Sequence, residues 1–440
     1  MTDILAYLTG VIVFLIGIGV SIGLHEIGHM WPAKKFGARV SKYMIGFGPT
    51  LWSAKRGETE YGIKLLPLGG YVAISGMFPP RPDQPDEKRK DGWLRNWIEQ
   101  ARKQQFDQDG SYDESKAFYR LSVPKRVIVM LGGPFMNLFL GALCLVIAMN
   151  GIGGMQAGNK ITKVFDCINP DYTVTTCSGG FPSPAKVAGL RAGDVVTQVN
   201  GRPISMWQEA QNTLESQPNQ RIHLTVKRGT EVLEFSIAPA VVARPAFDNN
   251  TLQPIYKKDG SLLLRDRGVL GLQLNYARAP MPWGYTQNVI VTSVAQTAGL
   301  VLNLPQQVYE LAKTTFTGGK RSVSGPVSVL GIGNISGSVG TNDRIDIPGK
   351  IAYWLAMLGS LNFALFVFNL LPLLPLDGGH VVSALWDGAR RRVYRLLGKA
   401  DPGPLDTAKF VPFTMVMWGL LMAMSLLVIS ADIVNPISLG

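Results

Sequence analysis

A chain of 440 residues would ordinarily make two or three soluble domains, yet 46% of this one is hydrophobic, only 17% is charged and its mean hydropathy is +0.14, which argues against a wholly water-soluble fold. The net charge of +12 comes from 43 Lys and Arg that avoid the apolar stretches and crowd the connections between them, the distribution of a membrane protein and not of a nucleic-acid partner. Three cysteines, none in a C-x-x-C pair, exclude a disulfide-built scaffold, a zinc ribbon and thioredoxin-like chemistry, so any metal must be held by His and carboxylate.

The first element is an apolar run, Ile4 to Leu24, free of ionisable side chains. Met1, Thr2 and Asp3 supply no basic n-region and no small-residue cleavage site follows, so the run reads as a retained transmembrane helix and not a signal peptide. It ends in His25-Glu26-Ile27-Gly28-His29. On a helix, positions i and i+4 share a face, so His25 and His29 can offer two imidazoles to one Zn2+ ion with Glu26 beside it. Glu26 is then placed to take a proton from water whose pKa the metal lowers and to pass it to the leaving amine.

Two β-prone runs follow, Arg39 to Pro49 and Tyr61 to Val72, separated by a polar turn around Lys55 to Thr59; they predict a hairpin at about 38–72. A charged linker from Pro79 to Lys90 leads to an amphipathic helix at about 91–106, in which Trp93, Leu94, Trp97, Ile98 and Ala101 share one face. That helix either lies on the inner leaflet or packs on another cytoplasmic segment. The second apolar run is Val127 to Met149, with the polar Asn137 inside it.

Segment 151–349 is too long to be a structureless connection. Its clearest stretch is Pro184 to Val196 followed by Val199-Asn200-Gly201, then a short helix from Met206 and strands Arg221–Lys227 and Glu231–Ile237. Cys167 and Cys177 flank a short loop on the side expected to be oxidising and are predicted to form a disulfide, which contributes about 2 to 3 kcal/mol if unstrained. A third apolar run, Ile351 to Leu371, passes into Asn369-Leu370-Leu371-Pro372-Leu373-Leu374-Pro375-Leu376-Asp377-Gly378-Gly379-His380, where Pro and Gly must interrupt the helix. Catalytic zinc takes three protein ligands. Asp377 is the leading third ligand, and His380 is its rival. The fourth run is Phe410 to Ala431.

Lys34, Lys35, Arg39 and Lys42 follow the first run, Lys125 and Arg126 precede the second, and Arg390, Arg391, Arg392, Arg395 and Lys399 lie between the third and fourth. Retention of such charges on the cytoplasmic side puts 33–126 and 383–409 inside, and both termini and 151–349 outside.

His25-Glu26-x-x-His29 paired with the Asn369…Pro372…Asp377-Gly378 segment resembles the site-2 protease family of intramembrane zinc metalloproteases. So do Gly133-Pro134-Phe135-Met136-Asn137 and Gly325-Pro326-Val327-Ser328. The resemblance implies zinc held by His25, His29 and Asp377, with Glu26 catalytic, and it associates Asn137 and Asn369 with the substrate backbone; interhelical hydrogen bonding is the alternative for both asparagines. It also implies that the hairpin is a membrane-reentrant β-loop that holds substrate extended, against the plain alternative of a cytoplasmic hairpin. The segment around 157–240 resembles a single, circularly permuted PDZ domain, either a peptide reader or a steric spacer. The single PDZ and its cysteine loop resemble actinobacterial members.

The expected fold is therefore a multi-pass α-helical membrane protein with four transmembrane helices, a reentrant β-hairpin and an α/β extracytoplasmic PDZ domain. Its segments are 1–32, 33–126, 127–150, 151–349, 350–382, 383–409 and 410–432. The expected activity is cleavage of transmembrane segments in the cell membrane after a first ectodomain cut. Its implied partners are anti-sigma-factor-like proteins, remnant signal peptides, membrane lipid and a peptide ligand for the PDZ groove. A non-catalytic PDZ-bearing scaffold is the competing expectation.

Overall fold

The structure, a computed structural model, describes residues 2–80, 96–100, 113–171, 176–216, 218, 220–246, 255–257, 261–317 and 327–434. Residues 81–90 of the linker and all of the expected 91–106 helix except 96–100, as well as Gly325 and Pro326, lie outside the described residues. Chain contacts define two units, Met1–Leu145 with Ile290–Gly440, and Val146–Val289.

Helix α1 (Thr2–Lys35) begins the first unit, with Lys34 and Lys35 in its last turn where the helix dipole favours cations. Strands β1 (Val40–Arg56) and β2 (Thr59–Ile74) follow. Their register is more than a hairpin. The first half of β1 pairs Val40 with Ile74 and Ile45 with Gly70 on one side, and runs beside Glu60 to Ile63 on the other, while the second half pairs Thr50 with Lys64 and Arg56 with Thr59. The ribbon thus doubles over into four short segments, and the turns occur where Gly46, Gly48 and Gly69 take φ of 94°, 88° and 116°, values that only glycine reaches without strain. Residues 96–100 form a short helix, α2. Helix α3 (Val123–Val146) runs on through a wider turn, Ile147–Ile152.

The second unit is built on β3 (Gly154–Val164), the two-residue strands β4 (Cys167–Ile168) and β5 (Phe181–Pro182), and α4 (Pro184–Val187). Next come β6 (Val195–Val199), β7 (Arg202–Pro203), α5 (Trp207–Ser216), β8 (Ile222–Arg228) and β9 (Glu231–Ile237). The last strands are β10 (Ala240–Pro245), β11 (Leu264–Val269) and β12 (Leu272–Ala279). The antiparallel sheet has the order β12-β3-β6-β8-β9, so it draws in a strand from beyond residue 240. Its buried face, with Ile161, Val196, Leu224 and Val226, closes on Trp207 and Leu214 of α5. Cys167 and Cys177 are joined, with their Cα atoms 5.7 Å apart.

Helices α6 (Trp283–Leu302), α7 (Leu304–Thr317), α8 (Val329–Thr341), α9 (Ile347–Asn369), α10 (Asp377–Leu396) and α11 (Val411–Val434) complete the chain. Four segments are long and apolar enough to cross a membrane: Asp3–Lys35, Val123–Ile152, Ile347–Asn369 and Thr407–Val434. They coincide with the four expected runs. The pair α6 and α7, bent by 70°, is also apolar enough for a broken span or a reentrant loop, a property the sequence reading did not assign to it.

In the first unit, polar side chains tie the apolar helices together. Ser336 Oγ of α8 donates to Gly10 O of α1 at 2.8 Å, and Asn362 Nδ2 of α9 donates to Ser21 Oγ of α1 at 2.9 Å. Arg126 of α3 meets Asp387 of α10 at 2.7 Å, and the Asp387 side chain is wholly buried.

In the second unit, Asp194 is 1% exposed and accepts from Nε and Nη2 of Arg228, both at 2.7 Å, and from the Arg191 N–H at 2.8 Å. The Arg228 guanidinium holds its carboxyl below the usual carboxylate range. A carboxyl whose folded pKa is depressed stabilises fully above its unfolded pKa and loses that contribution as pH falls through the folded value. Asp194→Asn is expected to cost the second unit about 2 kcal/mol near neutral pH, read as faster hydrogen exchange in β6 and β8. The gap to the wild type should persist down to pH of about 4 and narrow below it.

Candidate metal centre

The HExxH run occupies the last turns of α1, which puts His25 and His29 on the face packed against α3. The two helices meet backbone to backbone. A Cβ built on Gly28 would lie 2.3 Å from Gly132 O, and one on Gly133 would lie 2.2 Å from His29 Nε2. Side chains at these positions would hold the helices apart or occupy the space of the imidazole.

The third donor comes from the broken stretch after α9. Asp377 opens α10, and Gly378 and Gly379 press that first turn onto the backbone of Leu370 to Leu374 so closely that a Cβ on either would come within 2.5 Å of it. The carboxylate is thereby brought to the histidines. His25 Nε2 and His29 Nε2 stand 3.2 Å apart, and Asp377 Oδ2 lies 3.5 Å from the first and 3.3 Å from the second. Four donors at the zinc distances of about 2.0 to 2.1 Å in a tetrahedron stand about 3.3 to 3.4 Å from one another. The donor set fits zinc in type and spacing. Asp377 Oδ2 is a buried oxygen without a hydrogen-bond partner among the described residues, a costly state that a cation relieves. Among the described residues these three are the group placed to hold an ion; His380 is not part of it.

The opposite edges of the imidazoles carry the orienting contacts. His29 Nδ1 is 2.8 Å from Val129 O, so it donates there and leaves Nε2 as the lone-pair donor. His25 Nδ1 is 3.0 Å from the Asn137 side chain, which is fully buried and has an unpaired Oδ1. A metal on His25 Nε2 requires a proton on Nδ1, and exchanging the two ends of the Asn137 amide makes Oδ1 the acceptor of that proton. The residues Val129 and Gly133 escaped sequence reasoning as parts of the site. Gly133 was visible only as part of a motif, and a main-chain carbonyl leaves no sequence signal.

Glu26 lies beside the three donors, and the Val72 backbone N–H of β2 donates to its carboxylate. Gly70 of the same strand faces it, since a Cβ there would lie 3.5 Å from Glu26 Cγ. Asn369 is half-buried at the end of α9, and its side chain makes no hydrogen bond among the described residues.

Residues 13–399 match the family described as peptidase family M50. The chain is 32% identical over 444 residues to "Zinc metalloprotease Rip1" of Mycobacterium tuberculosis (strain H37Rv), covering 98% of this chain and 99% of that protein. It is 30% identical to the protein of the same name from Mycolicibacterium smegmatis, with 98% of each chain covered, and 25% identical to "Zinc metalloprotease RasP" of Shouchella clausii, covering 92% and 95%.

Asn137→Leu is expected to weaken zinc retention about 10- to 100-fold, the usual effect of removing an orienting partner, whereas Asn137→Asp, which still accepts from Nδ1–H, should stay close to the wild type. Competition with a chromophoric chelator, in the absence of any substrate, measures both.

Proposed function

The chain belongs to peptidase family M50 and is a zinc metallopeptidase with helices long and apolar enough to span a membrane, and we propose that it hydrolyses peptide bonds within the transmembrane segments of single-span proteins whose ectodomains another protease has shortened. The observation that carries this reading is where the donors stand. His25 and His29 lie on a candidate span, and Asp377 follows the end of another, α9.

Zinc held by His25, His29 and Asp377 supplies a Lewis acid that polarises a peptide carbonyl and lowers the pKa of water. Glu26, the carboxylate beside the donors among the described residues that is not itself a donor, takes the proton of the attacking water and returns it to the departing amide nitrogen. A transmembrane helix hides its amides in internal hydrogen bonds, so cleavage requires a local extended stretch. The Gly70–Ile74 segment pairs on one side with the first half of β1 and lies at the edge of the doubled ribbon next to Glu26. We assign it as the strand to which substrate adds, within a loop that dips into the membrane. Asn369 has its amide free for the substrate backbone, while Asn137 is engaged with His25.

The second unit is, in this reading, a PDZ domain outside the membrane, with both termini on the same side. A groove of about 640 Å³ lies between Trp207 and Leu214 of α5 and the Arg267–Leu272 turn, and β12 ends the sheet with no strand on its other edge among the described residues. Both suit an extended peptide end. Anti-sigma-factor-like membrane proteins and remnant signal peptides are the substrates we assign.

Co-expression with a tagged single-span reporter of truncated ectodomain tests the proposal. The wild type should cleave it, and Glu26→Gln should lower the rate about 10²- to 10⁴-fold with zinc content unchanged. Equal cleavage by both would remove Glu26 from the chemistry, and several such reporters left intact by the wild type would refute intramembrane proteolysis.

A further inference from the structure

Helix α10 has two unlike faces. Toward the bundle it presents Asp387, bound to Arg126 of α3. Away from it, Val382, Leu385, Trp386, Val393 and Leu396 recur at helical spacing and are exposed, Trp386 by 62% and Leu396 by 78%. An unpartnered apolar stripe on a helix that joins two candidate spans is out of place in water and in place against a membrane.

Between the stripe and the bundle-facing side runs a groove of about 950 Å³, walled on one side by Val123 and Pro124 of α3. Its floor is Gly388, where a Cβ would lie 2.8 Å from Val123 Cγ2. Its α10 wall is divided by chemistry, with Leu385, Ala389 and Leu396 on the outer lip and Arg391, Arg392 and Arg395 along the inner side. Arg391 is bidentate with Asp401, whose charge also acts on Arg395 at longer range. Arg392 and Arg395 are exposed and make no ion pair or hydrogen bond among the described residues. Two exposed guanidinium groups without a direct ion pair, beside an apolar lip, match an amphiphile with an anionic head, and arginine is the side chain that grips phosphate in a bidentate manner.

We propose that the groove between α10 and the start of α3 is a binding site for an anionic phospholipid, with its phosphate on Arg392 and Arg395 and an acyl chain along Leu385, Leu396 and Val123. The site rests on the chain spanning a membrane and not on its proteolytic activity. It is separate from the metal centre, although α10 carries Asp377 at its opposite end.

The test uses the full chain in nanodiscs of phosphatidylcholine, titrated with a fluorescent phosphatidylglycerol, alongside Arg392→Gln/Arg395→Gln. The wild type should bind phosphatidylglycerol well above a labelled phosphatidylcholine, and the double variant should lose about 30-fold in that affinity, two arginines at the contribution typical of basic side chains at an anionic surface. Zinc content should be unchanged in the variant, which separates this site from the metal centre. Equal affinity in the two proteins, or no preference over phosphatidylcholine, would overturn the proposal. Displacement of the probe by millimolar inorganic phosphate would overturn it as well, because the groove would then be a site for a free anion.

Discussion

Helices α1 and α3 touch backbone to backbone at Gly28 and Gly132, and the two histidines of the metal centre are oriented across that contact. In a membrane, helices gain little from burying apolar side chains against each other, because lipid is equally apolar; close packing and a few polar contacts must hold them. Here the closeness is also chemical. It brings Val129 O and Asn137 within hydrogen-bond reach of the two imidazole Nδ1 atoms, so the packing that joins the helices also fixes which nitrogen each histidine offers the ion.

The same economy explains the buried charges of the first unit. Arg126 and Asp387 would each be costly to bury alone, and Asp387 has a second, longer contact with Arg390 at 3.5 Å. Paired at 2.7 Å they join α3 to α10, the helix whose first residue is the third donor. Asp387 also accepts from the Leu405 N–H at 2.9 Å, which anchors the connection that leads to the last candidate span. The donor triangle is thus braced at α3 by glycine contacts and at α10 by a buried ion pair.

What the sequence made legible was whatever local spacing encodes. The four spans are runs of apolar residues, and His25 and His29 share a face because four residues make about one helical turn. Asp377 could be singled out as the lone carboxylate of its stretch, but only long-range folding decides between it and His380. The Gly-Gly pair after Asp377 packs on Leu370 to Leu374, and it is Asp377 that stands within 3.5 Å of both imidazoles. Asn137 was legible as a buried polar group, whereas its partner 112 residues away was not. The doubling of β1 and β2 was hidden for a different reason. Alternation announces strands, but the fold-over depends on glycines whose positive φ cannot be read without the partner segments. The apolar pair α6 and α7 escaped because the break at Asn303, where the two helices meet, splits it into pieces each too short or too polar to read as a span.

The proposed chemistry requires three donors to meet at one ion. X-ray absorption at the zinc edge of the purified chain tests it most directly. Two imidazole nitrogens and a carboxylate oxygen, all at about 2.0 to 2.1 Å, with one further light atom and one zinc per chain, is the expected shell. A third imidazole, which would implicate His380, a sulfur in the shell, or no stoichiometric zinc would contradict it.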